Sequence, residues 1–250
     1  MSRPSFTRVA SEVCVAAALL MASCDADRSG PSDGMPTPRC LPPAGISGAP
    51  TSIAGAVALV NSLPRPVTVG CFLESLDRPL AASATVSFFS LQPSTGRRSP
   101  RIFLFFDPLV MSIVPEGRGT HAVEFGQMVS DTNSVKGELG FPIVEEVTPA
   151  APFDRVRDLT GDAPVTICRG CHADESRYDG IDYAQAFTSV AFRPLPRNQV
   201  TVQDLRSERR SCDSALEPER CAFLRSLFDH GEVMARDFPA NLRTFTDSGQ

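Results

Sequence analysis

Ile102-Phe103-Leu104-Phe105-Phe106, followed after Asp107-Pro108 by Leu109-Val110-Met111-Ser112-Ile113-Val114, is the stretch that sets the fold class of this 250-residue chain. Both runs are short, rich in β-branched and aromatic side chains, and bounded by turn residues, which is the pattern of strands. Upstream, Val67-Thr68-Val69 and Thr85-Val86-Ser87-Phe88-Phe89 carry the same composition. Downstream, Pro115-Glu116-Gly117-Arg118-Gly119 suits a hairpin loop leading into His121-Ala122-Val123-Glu124-Phe125. Val135, Leu139, Phe141 and Ile143 then occupy alternating positions, so that one face of a further strand is buried. Pro142 cannot donate a ladder hydrogen bond, which places that strand at an edge or at a bulge. A short helix over Ser52 to Ser62, with Ile53, Val57, Leu59 and Val60 as its apolar stripe, precedes Pro64 and Pro66. Residues 51–160 are therefore expected to form an antiparallel sheet or small sandwich.

This region offers no catalytic constellation. His121 has no Ser, Cys or metal-ligand partner at a useful spacing, and Glu145-Glu146 are strand neighbours whose side chains point to opposite faces. Residues 161–250 read differently, as a small α-helical region, giving an α+β chain overall. Tyr183 to Phe192 suits one helix. Thr201-x-x-Asp204 is a capping-box pattern for a second, with Val202 and Leu205 on one face. Glu217-Pro218 opens a third that presents Cys221, Leu224, Leu227 and Phe228 before Gly231 stops it.

The N-terminus describes an address. Arg3 and Arg8 precede a short apolar run, Val13 to Ala22, in the manner of a secretory leader that is too short to span a membrane. Leu20-Met21-Ala22-Ser23-Cys24 resembles a bacterial lipobox, in which the cysteine receives a lipid and becomes the new N-terminus. The resemblance implies a signal peptide at 1–23, lipidation of Cys24, and a location in the bacterial cell envelope, attached to a membrane through that lipid and facing the periplasm. Residues 24–50, with Pro36, Pro38, Pro42 and Pro43 among Gly, Ser and Asp, have the composition of a tether. With 24 basic and 29 acidic residues the formal charge is −5, and arginine is nowhere dense enough for a nucleic-acid groove. Of eight cysteines, Cys14 falls in the leader and Cys24 is the lipid acceptor, leaving six, an even number suited to an oxidising compartment. Cys40 with Cys71 and Cys212 with Cys221 are disulfide candidates.

Chemistry concentrates in Thr166-Ile167-Cys168-Arg169-Gly170-Cys171-His172-Ala173-Asp174-Glu175. Cys168-x-x-Cys171-His172 resembles the haem-attachment signature of c-type cytochromes. Two thiols at this spacing can form thioethers to the two vinyl groups, and the next residue supplies an imidazole to the iron. The resemblance implies covalent haem c on Cys168 and Cys171, with His172 as axial ligand. Met234 is the candidate for the sixth position, with His230 as the alternative. Two other readings of the same residues stay open: a disulfide between Cys168 and Cys171, or a structural zinc site using Cys168, Cys171, His172 and one more ligand. The expected function is a lipid-anchored, single-haem electron-transfer protein or subunit with a redox partner protein. The competing expectation is a haem-free envelope binding protein whose working part is the β domain.

Overall fold

The structure, a computed structural model, describes residues 39–87, 90–160, 164–172 and 174–244, which belong to one compact unit. The leader, Cys24 and the tether up to residue 38 lie outside the described residues.

Helix α1 (Ile53–Ser62) begins where Ser52 caps the Gly55 N–H, and α2 (Val69–Ser75) begins where Thr68 caps the Cys71 N–H. Then come β1 (Leu80–Thr85), β2 (Arg101–Phe106), β3 (Leu109–Ile113), β4 (Ala122–Met128) and β5 (Asn133–Gly140). After α3 (Ala151–Arg155) follow β6 (Ser176–Tyr178), β7 (Ala186–Val190), β8 (Phe192–Arg193) and β9 (Gln199–Val200). Helices α4 (Val202–Ser211) and α5 (Pro218–Phe228), then β10 (Val233–Ala235) and β11 (Arg243–Thr244), complete the described chain.

One mostly antiparallel sheet runs in the order β10-β1-β2-β3-β4-β5-β7-β6, with β9 also paired to β1. Strands β2 to β5, the hairpin connection between β3 and β4, helix α1, the Thr201/Asp204 capping box of α4 and the Pro218 start of α5 lie where the sequence puts them. Other expectations are corrected. Val67 makes a single bridge to Ile143, because Thr68 turns the chain into α2 instead of extending it. The first strand is Leu80–Thr85, ahead of the expected Thr85 to Phe89, of which 88 and 89 lie outside the described residues. Strand β5 stops at Gly140, so Pro142 lies beyond the ladder, and the strand is interior, between β4 and β7. The expected helix over Tyr183 to Phe192 is strand β7. An all-helical C-terminal region is corrected accordingly: beside α4 and α5 it supplies β6, β7, β9 and β10 to the sheet that begins at β1.

The strict period of two gives the sheet two different faces. Leu104, Met111, Phe125 and Gly137 lie side by side in register on one face. That face packs in a single core with Leu59 of α1, Phe72 of α2, and Leu224 and Leu227 of α5. The opposite face carries two rows across the strands: Ser83-Phe103-Ser112-Glu124-Glu138, and Ala81-Phe105-Val110-Gly126-Lys136. Two disulfides staple the periphery. Cys40–Cys71 ties the described end of the tether to α2, and Cys212–Cys221 joins the end of α4 to α5.

Candidate functional site

The second face of the sheet is roofed, and the space beneath the roof is an open-mouthed cavity of about 200 Å³. Ligand sites commonly occupy roughly 300–1,000 Å³, so the enclosed space is on the scale of a small ligand. Its floor is Phe103, Phe105, Ser112, Glu124 and Lys136, and its roof includes Cys168, Cys171 and His172 together with Phe192 and Phe238.

The roof is held by backbone chemistry around the Cys168-Cys171-His172 segment. Ile167 N–H donates to the Val156 carbonyl at 2.9 Å, which attaches the segment just beyond α3. Thr166, fully buried, donates its N–H to Glu175 Oε1 at 2.7 Å and its hydroxyl to the other carboxylate oxygen. The clip closes the loop across nine residues. The Thr166 hydroxyl oxygen also accepts from the Cys168 N–H at 3.1 Å, starting a single tight turn over Ile167–Gly170. Cys171 and His172 N–H groups both donate to the Cys168 carbonyl, at 3.0 and 2.9 Å. Both cysteines are thereby brought to one wall as free thiols, and they are not joined to each other.

His172 is oriented from two sides. Its Nδ1 lies 2.7 Å from the Val190 carbonyl of β7, and its ring stacks on Phe192 with centroids 5.6 Å apart. A carbonyl only accepts, so Nδ1 carries the proton. Burial first, and the Lys136 charge second, push the imidazolium pKa down to about 3, so the ring is neutral and Nε2 keeps its lone pair. That is the tautomer a metal ligand needs. Burial pushes the Cys168 thiol up to about 11, which keeps it protonated.

The floor is unexpectedly charged. Arg101 donates to Glu124 Oε2 at 2.6 Å and to Ser112 at 2.8 Å, while its guanidinium stands 5.0 Å from the Phe103 ring centroid. Glu124 Oε1 is buried with no hydrogen-bond partner among the described residues, and burial raises the Glu124 pKa. Lys136 donates to Ser134 at 2.6 Å, and burial lowers its pKa to about 8. Sequence reading passed over these three residues. The alternation that buries Val135 and Leu139 assigns Lys136 to the other face, and a face opposite a core normally meets water. The available signal was that Lys136 is the only lysine in the chain.

The other candidates lie elsewhere. Met234, on edge strand β10, is 43% exposed and is not part of the cavity lining. His230 follows α5 in the helical layer, with Nε2 3.6 Å from Glu74 Oε1. His121 is exposed in the approach to β4. Among the described residues no group of three or more His, Cys, Asp or Glu side chains is arranged to hold a metal ion, and no helix is long and apolar enough to cross a membrane. Comparison of the chain with protein-family models, curated proteins and solved structures finds no match in any of the three.

Proposed function

We propose that this chain is a lipid-anchored, haem-bearing redox protein of the bacterial envelope, with a single haem c attached at Cys168 and Cys171. The observation that carries the reading is the state of His172: a neutral ring whose Nδ1–H is committed to the Val190 carbonyl, leaving Nε2 available beside two free thiols. Among the described residues, four cysteines are consumed in two disulfides, and the two that remain are the pair of the attachment signature. Cys168 and Cys171 would hold the group covalently through their free thiols, and His172 would bind its metal. When bound, haem supplies a one-electron redox centre. The protein's part would be to hold the group through Cys168, Cys171 and His172, beside the Phe192 ring that stacks on His172.

The lipobox-like residues support placement at a membrane, where haem attachment and an apposed redox partner are both accessible. A haem-free binding role for the same cavity is the competing reading, favoured by the unsatisfied Glu124 oxygen, which could accept from a small polar ligand.

The test is a pyridine haemochrome spectrum of protein co-expressed with a c-type maturation system, combined with thiol labelling of the denatured chain. One haem per chain and no labelled thiol is expected. A colourless protein with two labelled thiols would refute the haem reading and leave the binding role.

A further inference from the structure

We propose that the cavity over the sheet binds a small monoanionic 2-hydroxy carboxylate, with its carboxylate on Lys136 and its hydroxyl on Glu124. The inference does not rest on haem; it gives a ligand class to the binding role of the space beneath the roof.

Charge selects an anion. Among the ionised side chains that line the cavity, Arg101 is paired with Glu124, Arg236 with Asp107, and Glu138 with Arg155, so these charges cancel where they stand. Arg193 and Lys136 are left over, and both are cations. Arg193 donates to the Leu242 carbonyl, and Lys136 donates to the Ser134 hydroxyl oxygen at 2.6 Å. An ammonium has three donors, so two of those on Lys136 remain for a ligand. A carboxylate accepts both, and it neutralises a charge that aromatic walls, Phe103, Phe105 and Phe192, leave poorly solvated.

The second contact selects a hydroxyl. Glu124 stands opposite Glu138, and Lys136 opposite Gly126, so Glu124 and Lys136 are diagonal neighbours on one face, with Cβ atoms roughly 7 Å apart. Gly126 puts no side chain beside the ammonium, which leaves room for a ligand to lie across the two strands. Arg101 takes one oxygen of Glu124 at 2.6 Å, and the other, Oε1, is buried with no partner among the described residues. Arg101 cannot supply the missing bond as well, because Ser90 and Ser112 also hold its guanidinium. Rotation about the broad terminal torsion of a glutamate turns the unpaired oxygen toward the cavity. A hydroxyl donates and accepts, so it satisfies that oxygen whether or not the carboxyl is ionised, whereas an ammonium in its place meets the Arg101 charge. The enclosed volume of about 200 Å³ restricts the ligand to a body of a few carbon atoms.

Lactate, propionate and alanine share a carboxylate on a three-carbon frame and place a hydroxyl, a hydrogen or an ammonium on the adjacent carbon. The purified full chain is titrated with each by calorimetry. Lactate is expected to bind one per chain, and propionate and alanine about tenfold or more weakly than lactate, the worth of one hydrogen bond to a buried polar group. Lys136→Met should weaken lactate by about tenfold or more, with the urea midpoint showing that the variant folds. A readout that needs no substitution follows from Lys136 being the only lysine in the chain. Acetylation by an N-hydroxysuccinimide ester, with mass spectrometry of the Lys136 peptide, reports on this one amine, and lactate at about ten times its Kd should slow it about tenfold by mass action. Alanine or propionate binding as tightly as lactate, or lactate binding without protecting Lys136, overturns the ligand assignment. Lactate that neither binds nor protects overturns the site. Haem content, recorded by pyridine haemochrome on the same samples, separates the two readings: a colourless protein that binds lactate refutes haem alone, and a haem-loaded protein that ignores lactate refutes this site alone.

Discussion

Thr166 and Glu175 decide whether the cysteine segment is a roof or a loose loop. With Thr166 buried, its N–H has no water to turn to if the carboxylate is removed. Glu175→Ala should therefore cost about 1–3 kcal/mol, the desolvation of one unpaired donor, measurable by urea unfolding of the haem-free chain. The same variant should make the Cys168 and Cys171 thiols label faster in the native state, because they no longer share one wall. Arg220 poses a different residue-scale problem. Its side chain is 1% exposed, and Glu208 and Glu217 meet its guanidinium at 2.6 and 2.7 Å. Hydrogen bonds from Arg98, then Arg220, hold the Glu217 carboxyl below its ordinary value of 4.5. The native state thus favours the ionised form, so the unfolded chain binds more protons in acid. This contribution to stability is complete above about pH 4.5 and is lost as pH falls from there toward the depressed native value. Glu217→Gln should shrink the difference in urea midpoint between about pH 6 and about pH 3.

At the scale of elements, the two disulfides close loops of unequal length, and the longer closure removes more unfolded-state entropy. Opening Cys40–Cys71, with 31 residues of separation, should cost roughly 3.5 kcal/mol, against roughly 2.5–3 kcal/mol for Cys212–Cys221, with 9. Equilibrium denaturation of the paired Cys→Ser variants tests the order. Seating of the tether depends on more than sulfur: the Gly48 carbonyl accepts from the Asp77 N–H at 2.9 Å, and a Cβ at Gly48 would stand 2.5 Å from the Ser75 carbonyl oxygen. Helices were legible wherever a side chain announces a terminus, as Ser52, Thr201 and Pro218 do. Strand β7 was not. Ala186-Phe187-Thr188-Ser189-Val190 follows Tyr183 and Ala184 in a run that can be read at helical spacing, and its extension is fixed by hydrogen bonding to β5 and β6.

For the whole molecule, the lipid on Cys24 is a prediction about where the chain works. Replacement of Cys24 by Ser should move the protein from the membrane fraction to the soluble envelope fraction, and fractionation followed by mass spectrometry of the N-terminal peptide checks it. Sequence alone determined strands β2 to β5, the capped helices and the Cys168-x-x-Cys171-His172 spacing, because each is written in a local period or in a spacing of a few residues; it offered the two disulfides only as candidates, since six cysteines leave the connectivity open. Which face of the sheet becomes the chamber was decided only in three dimensions. Lys136 and Glu124 sit on the side that a half-buried strand would normally show to water, and nothing within their own strands says otherwise. They become interior because segments far away in sequence, around His172 and around Phe238, fold across that face. For the same reason Met234, at a plausible distance along the chain, is carried to the far edge by its parallel pairing with β1: spacing in sequence fixes a ligand only where the intervening chain follows the expected path.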